Sequence, residues 1–162
     1  VLLELAPGLA LAKLRRAEAN MMLSNWEEAK DDLEQIVEDA PHHHHALTQL
    51  ASCFMAMDRP EKAEAPLNEA LRLAPDHTEA WHQRGLLYLD WAQEESALND
   101  FEAAVRCDGN HLGARLRIAA IHHKAERFPE ALGAWNGVLA IEPEHTVARR
   151  RREECEMALA TI

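Results

Sequence analysis

Little in this chain resists helix formation or favours a sheet. Its 162 residues include only six Gly and seven Pro, and one Tyr, three Phe and four Trp are all its aromatic surface. Sheets draw on aromatic and β-branched side chains. Scarcity of aromatics beside abundant Ala, Leu, Glu and Arg points instead to helices. No run of about 18 apolar residues occurs, so no helix is expected to cross a membrane. The first residues, Val1 to Pro7, are apolar but too short for a signal peptide and have no basic flank. Lacking Met, this start is expected to be the cut end of a longer chain. Cysteine is scarce too: Cys53, Cys107 and Cys155 show neither metal-type nor redox-type pairing. They are expected to be small buried hydrophobes in a reducing compartment, which favours the cytoplasm over the periplasm.

Basic charge is in deficit, with a net charge of −11. Phosphate binding wants a basic stripe, so a nucleic-acid partner is not expected. Residues 10–43 carry eight acids against four bases, while Arg149 to Arg152 form a basic run. Both read as solvated helix faces, with end-to-end contact between copies as the lesser alternative.

What is present is a fixed repeat period. Pro7, Pro41, Pro75 and Pro143 keep it, and Gly109 fills the remaining slot. The units are 10–43, 44–77, 78–111 and 112–145, with the tail of a preceding repeat at 1–9 and a capping helix at 146–162. Aligning the units gives columns: Ala12, Ala46, Ala80, Ala114 and Ala148; Ala17, Ala51, Gly85 and Ala119; Ala29, Ala63, Ala97 and Ala131; Leu33, Leu67, Phe101 and Trp135. Small residues at fixed helical sites let two backbones approach, and large ones in register fill the space beside them.

The third unit carries Trp81, Gly85, Tyr88, Ala97, Phe101, Ala104 and Gly109. At these spacings the chain resembles the tetratricopeptide repeat family over essentially its whole length. Arg16 and Arg84 stand where the family has Leu, and Asn20 and His122 where a large aromatic is expected. The Arg stems should lie along apolar surface with their heads in water. The resemblance implies an all-α fold, a right-handed α-solenoid of four helix-turn-helix hairpins plus a C-terminal capping helix.

Within each unit a short turn joins helix A to helix B. Met57-Asp58-Arg59-Pro60 and Glu126-Arg127-Phe128-Pro129 are two such turns, each with Pro pre-forming the next helix. Helix A of the third unit is expected to start from a capping signal of Asp76 with Glu79. In the last segment Ala148, Cys155 and Leu159 should face inward, with Arg149, Arg152, Glu153 and Glu156 on the polar side that ends a finite array.

Ten histidines raise the question of metal. His42, His43, His44 and His45 are consecutive, while His43, His77, His111 and His145 recur once in every repeat. Consecutive residues at a helix start diverge, and repeat-spaced copies should be a hairpin width apart, too far for ligand bonds of about 2 Å. Structural or surface roles are therefore expected, with no metal and no cofactor. No Ser/His/Asp order, glycine-rich phosphate loop or paired-carboxylate motif appears. Glu27-Glu28 and Asp31-Asp32 read as the wet face of a helix B, and no enzymatic role is expected.

The family resemblance also implies a concave groove lined by A helices, in which ligands lie as extended or helical peptides. Carried over position by position, the groove residues are Leu14, Glu18, Met21 and Met22 in the first unit, and Thr48, Ser52, Met55 and Ala56 in the second. The third offers His82, Leu86, Leu89 and Asp90, and the fourth Leu116, Ala120, His123 and Lys124. Of these, Met22, Met55, Leu89 and His123 should be exposed with no structural duty. The Lys and Asn clamp by which one subclass holds acidic chaperone tails is missing, because Leu14, Glu18, Gln49, Glu79 and Gln83 occupy its sites. A groove of Met, Leu and Ala suits an amphipathic helix or an apolar peptide. The expected function is a protein–protein interaction module. The alternatives are a self-assembling scaffold joined through its uncapped N-terminal end, or an accessory array of a larger enzyme.

Overall fold

The computed structural model describes residues 7–161, and all regular structure among them is helical. The elements are α1 (Pro7–Met22), α2 (Trp26–Asp39), α3 (His44–Ala56), a 3-10 turn (Pro60–Lys62), α4 (Glu64–Leu73), α5 (Thr78–Asp90), α6 (Glu94–Cys107), α7 (Leu112–Lys124), α8 (Phe128–Ile141) and α9 (Thr146–Ala160). By internal contacts the chain forms two compact units, residues 1–87 and 88–162. The sequence expectations for residues 1–6 lie outside the described residues.

In the first unit α1 packs on α2, α2 on α3 and α3 on α4. The alanine columns make this packing close: Ala17, Ala29, Ala46, Ala51 and Ala63 are fully buried, with Leu33, Ile36 and Leu67 beside them. In the second unit α6 packs on α7, α7 on α8 and α8 on α9. Its core gathers Ala119, Ala131, Trp135, Val138, Ala148 and Cys155, flanked by Leu112, Leu116, Phe128 and Leu132.

A common backbone device closes α1, α3, α5 and α7. Ser24, Asp58, Ala92 and Glu126 have φ of 61°, 58°, 57° and 55°, at the same position in each successive turn. The following N–H reaches back into the last helical turn: Asn25 to the Asn20 carbonyl, Arg59 to Phe54 and Gln93 to Tyr88, each at 2.8 Å, and Arg127 to His122 at 3.0 Å. This is the Schellman arrangement, built here without the glycine that usually accepts its left-handed residue. Pro60 opens the 3-10 turn and Pro129 stands in the first turn of α8, where a missing N–H costs nothing.

The helix starts explain most of the repeated histidines. Nδ1 of His43, His111 and His145 accepts the N–H of Ala46, Ala114 and Ala148 at 3.1, 3.0 and 3.2 Å. Each is an N-cap, with imidazole in the role usually given to Ser or Asp. Helix α5 begins at Thr78, so the expected cap at Asp76 is displaced: the capping position falls on His77, whose carbonyl oxygen accepts the Ala80 N–H at 3.0 Å.

Two further expectations are corrected. Asp32 is not on a wet face: it is 5% exposed and receives Arg16 Nε at 2.7 Å and Nη2 at 2.5 Å. The Arg16 head thus serves a buried carboxylate rather than water alone. Cys53 and Cys155 are fully buried, but Cys107, at the last residue of α6, is exposed. Arg84 lies with its guanidinium carbon 4.9 Å from the Trp81 ring centre and donates to Asn68 Oδ1 at 2.7 Å. On α9, Arg149 donates to Glu144 and to the Pro143 carbonyl oxygen.

Candidate functional site

Each A helix presents the expected residues with different degrees of freedom. On α1, Leu14 and Glu18 are half-buried and Met22 is 88% exposed. Glu18 is engaged, receiving Arg15 Nη1 at 2.9 Å and Gln49 Nε2 at 3.4 Å, with His45 Nε2 at 3.6 Å. The Arg15 hydrogen bond leads in holding its carboxyl below the ordinary range. On α3, Thr48 offers no surface: it is 2% exposed and its hydroxyl donates to the His44 carbonyl oxygen at 3.0 Å. Ser52 likewise donates to the Thr48 carbonyl at 3.2 Å, and Met55 is half-buried. His82, Leu86 and Leu89 on α5 are half-buried, and Asp90 is exposed. On α7, Leu116 packs against the core of the second unit, whereas Ala120 and Lys124 are exposed.

His123 has a structural duty, contrary to expectation. Its Nε2 lies 3.2 Å from Arg151 Nη1 and 3.3 Å from Glu154 Oε2, and its Nδ1 lies 3.4 Å from Cys155 Sγ. Arginine nitrogens only donate and an ionised carboxylate only accepts, so Nε2 meets Arg151 as an acceptor in one tautomer and Glu154 as a donor in the other. Arg151 also donates to Glu154 at 2.8 Å, which is the chief reason that carboxyl is held low. Burial, more than the neighbouring Glu154, pushes the Cys155 thiol up. The imidazole edge meets Phe128 and Trp135, with ring centres 6.1 and 6.3 Å away.

This anchored histidine forms one wall of a pocket of about 390 Å³ lined by Ala120, His123, Lys124, Trp135, Val147 and Arg151. It lies wholly within the second unit and draws on α7, α8 and α9. Lys124 is paired with Glu94, and Arg151 with Glu154, so the cationic rim is largely neutralised. Val147 is an exposed apolar residue at the mouth. Trp135 is only 3% exposed, and its Nε1 is enclosed without any acceptor. A buried donor lacking a partner is unusual and costs on the order of 1–3 kcal/mol. The pocket therefore offers chiefly apolar walls, and the Trp135 donor is closed off from solvent.

Of the expected groove residues, the pocket gathers Ala120, His123 and Lys124. The sequence pattern misses Trp135, Val147 and Arg151, because it places Trp135 in a core column on a B helix and makes the last helix a cap. One signal is available in it: Trp135 alone in its column carries an N–H donor, beside Leu33, Leu67 and Phe101.

Family models described as tetratricopeptide repeat match residues 20–85 and 78–111. No curated protein matches the chain in sequence. Among solved structures, MamA superposes with a TM-score of 0.80 at 13% identity, over 93% of this chain and 82% of that one. A tetratricopeptide repeat protein of Thermus thermophilus gives 0.75 at 19% identity, over 91% and 81%. The first such domain of Spaghetti, bound to the HSP90 peptide SRMEEVD, gives 0.70 at 20%, over 76% and 98%. At these identities the likeness carries the fold, an all-α helical-repeat solenoid. With its repeat columns, its helical hairpins and the two overlapping family matches, the chain belongs to the tetratricopeptide repeat family.

Proposed function

We propose that the chain holds an apolar peptide segment of a partner protein, using the pocket of α7, α8 and α9 as an anchor. Membership of the family makes it a protein–protein interaction module; the choice of site and ligand is the proposal. One observation carries it: a pocket of about 390 Å³ whose lining is chiefly apolar, walled by Ala120, Trp135 and Val147. An apolar side chain would fill the volume beside Val147 and Ala120, displacing water from surface that has no polar use for it.

Peptides selected from a displayed random library against the chain provide the test. Selected sequences should share one apolar anchor. Their affinity should fall about tenfold or more in Val147→Glu and in Ala120→Glu, which set a charge against an apolar wall of the pocket, with melting unchanged. Peptides binding both variants as tightly as wild type would move the site elsewhere.

A self-assembling scaffold is the second reading, favoured by the exposed Leu9, Leu11, Met22 and Leu23 on the first hairpin. Sedimentation equilibrium separates the two, since a monomer at high concentration removes the scaffold.

A further inference from the structure

Three of the four repeat-spaced histidines cap helices through Nδ1, and His77 does not. The Ala80 N–H bonds the His77 carbonyl oxygen at 3.0 Å instead, which leaves the imidazole free for other contacts. That ring lies edge-to-face on His44, with centres 4.8 Å apart and planes at 75°. His45 stands 6.1 Å away on the same ring. Two nitrogens in this cluster, His44 Nδ1 and His77 Nε2, are enclosed and have no hydrogen-bond partner. Two orphaned nitrogens on touching rings call for one shared partner.

We propose that His44 Nδ1 and His77 Nε2 together bind one divalent first-row metal ion of the Zn²⁺ or Cu²⁺ class, with water completing its coordination.

Imidazole nitrogen is a preferred donor for these ions. The dimensions agree. With metal–nitrogen bonds of about 2.0–2.1 Å, and ring centres about 1.2 Å beyond each nitrogen, two imidazoles on a tetrahedral ion stand about 5 Å apart. The observed 4.8 Å is close to that separation. His45 is left out because its Nε2 is 3.6 Å from Glu18 Oε1.

The electrostatic setting also matters. Both histidines stand at helix N-termini, whose partial positive charge opposes a cation. Asp76 and Glu79 act on the His77 ring in the opposite sense. Burial first, then the neighbouring His44 and His45, lowers the proton affinity of His77. The sequence-based expectation of no metal weighs the histidine run and the repeat copies separately. The pair joins one member of each, from adjacent repeats.

Titration calorimetry with Zn²⁺ on chain stripped by a chelator tests the proposal. One ion per chain and a raised melting temperature are expected. His44→Gln and His77→Gln should each weaken binding at least tenfold, while a His42→Gln/His45→Gln double variant should retain it. Circular dichroism of each variant verifies the fold. Electron paramagnetic resonance of the wild-type chain loaded with Cu²⁺ should show hyperfine coupling from two imidazole nitrogens, a readout independent of any variant's stability. Absence of binding overturns the proposal, as do oxygen-only coordination and binding that survives His77→Gln but is lost with the run.

Discussion

Arg16 on α1 and Asp32 on α2 form a two-pronged ion pair in which only the acid is buried. That asymmetry fixes what substitution should do. Arg16→Leu restores the residue the family has there, yet strips a buried carboxylate of its donors. A buried acceptor left unsatisfied costs on the order of 1–3 kcal/mol or more, so Arg16→Leu should lower the melting temperature. Asp32→Leu in the same chain should recover most of the loss, because an apolar pair of similar volume removes the unpaired charge. A double variant no more stable than Arg16→Leu alone would show that the pair is not the cause.

Backbone strain gives a stabilising prediction. Ala92 holds φ at 57° with only a methyl group on its side chain. Left-handed geometry costs an L-residue roughly 1–2 kcal/mol. Part of that returns as chain entropy when Gly is introduced, so Ala92→Gly should gain about 0.5–1 kcal/mol. Gly133→Ala, inside α8 with nothing within 4 Å of an added Cβ, should gain a similar amount from helix propensity. Urea denaturation measures both, and a loss in either would mean the local conformation differs.

Periodicity carried most of the fold. Helix pairs, proline-led turns and buried alanine columns all follow from one repeated unit, because close helix packing tolerates only small residues at the contacts. The side chains that escaped that logic each act through a partner invisible to it. Asp32 reads as a surface acid until Arg16, on the preceding helix, is brought onto it. Asp76 resembles a cap, but the helix starts late enough for the capping position to pass to His77. The candidate site was only partly legible. Thr48 and His123 occupy the family's ligand positions, yet one spends its hydroxyl on the preceding turn and the other is bound to Arg151 and Cys155. Trp135, one wall of the pocket, sits on a B helix, where the pattern signals only core.

Thiol reactivity distinguishes the three cysteines. Burial pushes the Cys53 thiol up to about 11 and raises Cys155 as well, so neither supplies thiolate at neutral pH, and neither is exposed to reagent. Cys107 is exposed at the end of α6. A disulfide reagent such as DTNB at pH 8 should therefore modify one thiol per chain quickly, and the other two only at the rate of unfolding. Rapid reaction of two or three would mean that α3 or α9 opens readily in the native state. A Cys107→Ser variant should abolish the fast phase and leave melting unchanged.

Histidine burial makes stability fall with acid in a definable window. His43, His77 and His122 are all held below their ordinary value of 6.5, in each case chiefly by burial. The unfolded chain therefore takes up protons first as the pH drops through 6.5, while the folded chain does not. By linkage, the unfolded state gains over that interval. Stability should be level above pH 7 and decline between about pH 6.5 and 5, before the carboxylates titrate. Protonation of His43 also removes the acceptor that caps α3. With a chelator present to exclude metal, melting temperatures measured from pH 8 to 5 should show this decline, and His43→Asn/His77→Gln should flatten it. Asn caps without titrating in this range, so the variant keeps the helix start while losing the pH response. A decline of equal slope in the double variant would assign the acid sensitivity to other groups.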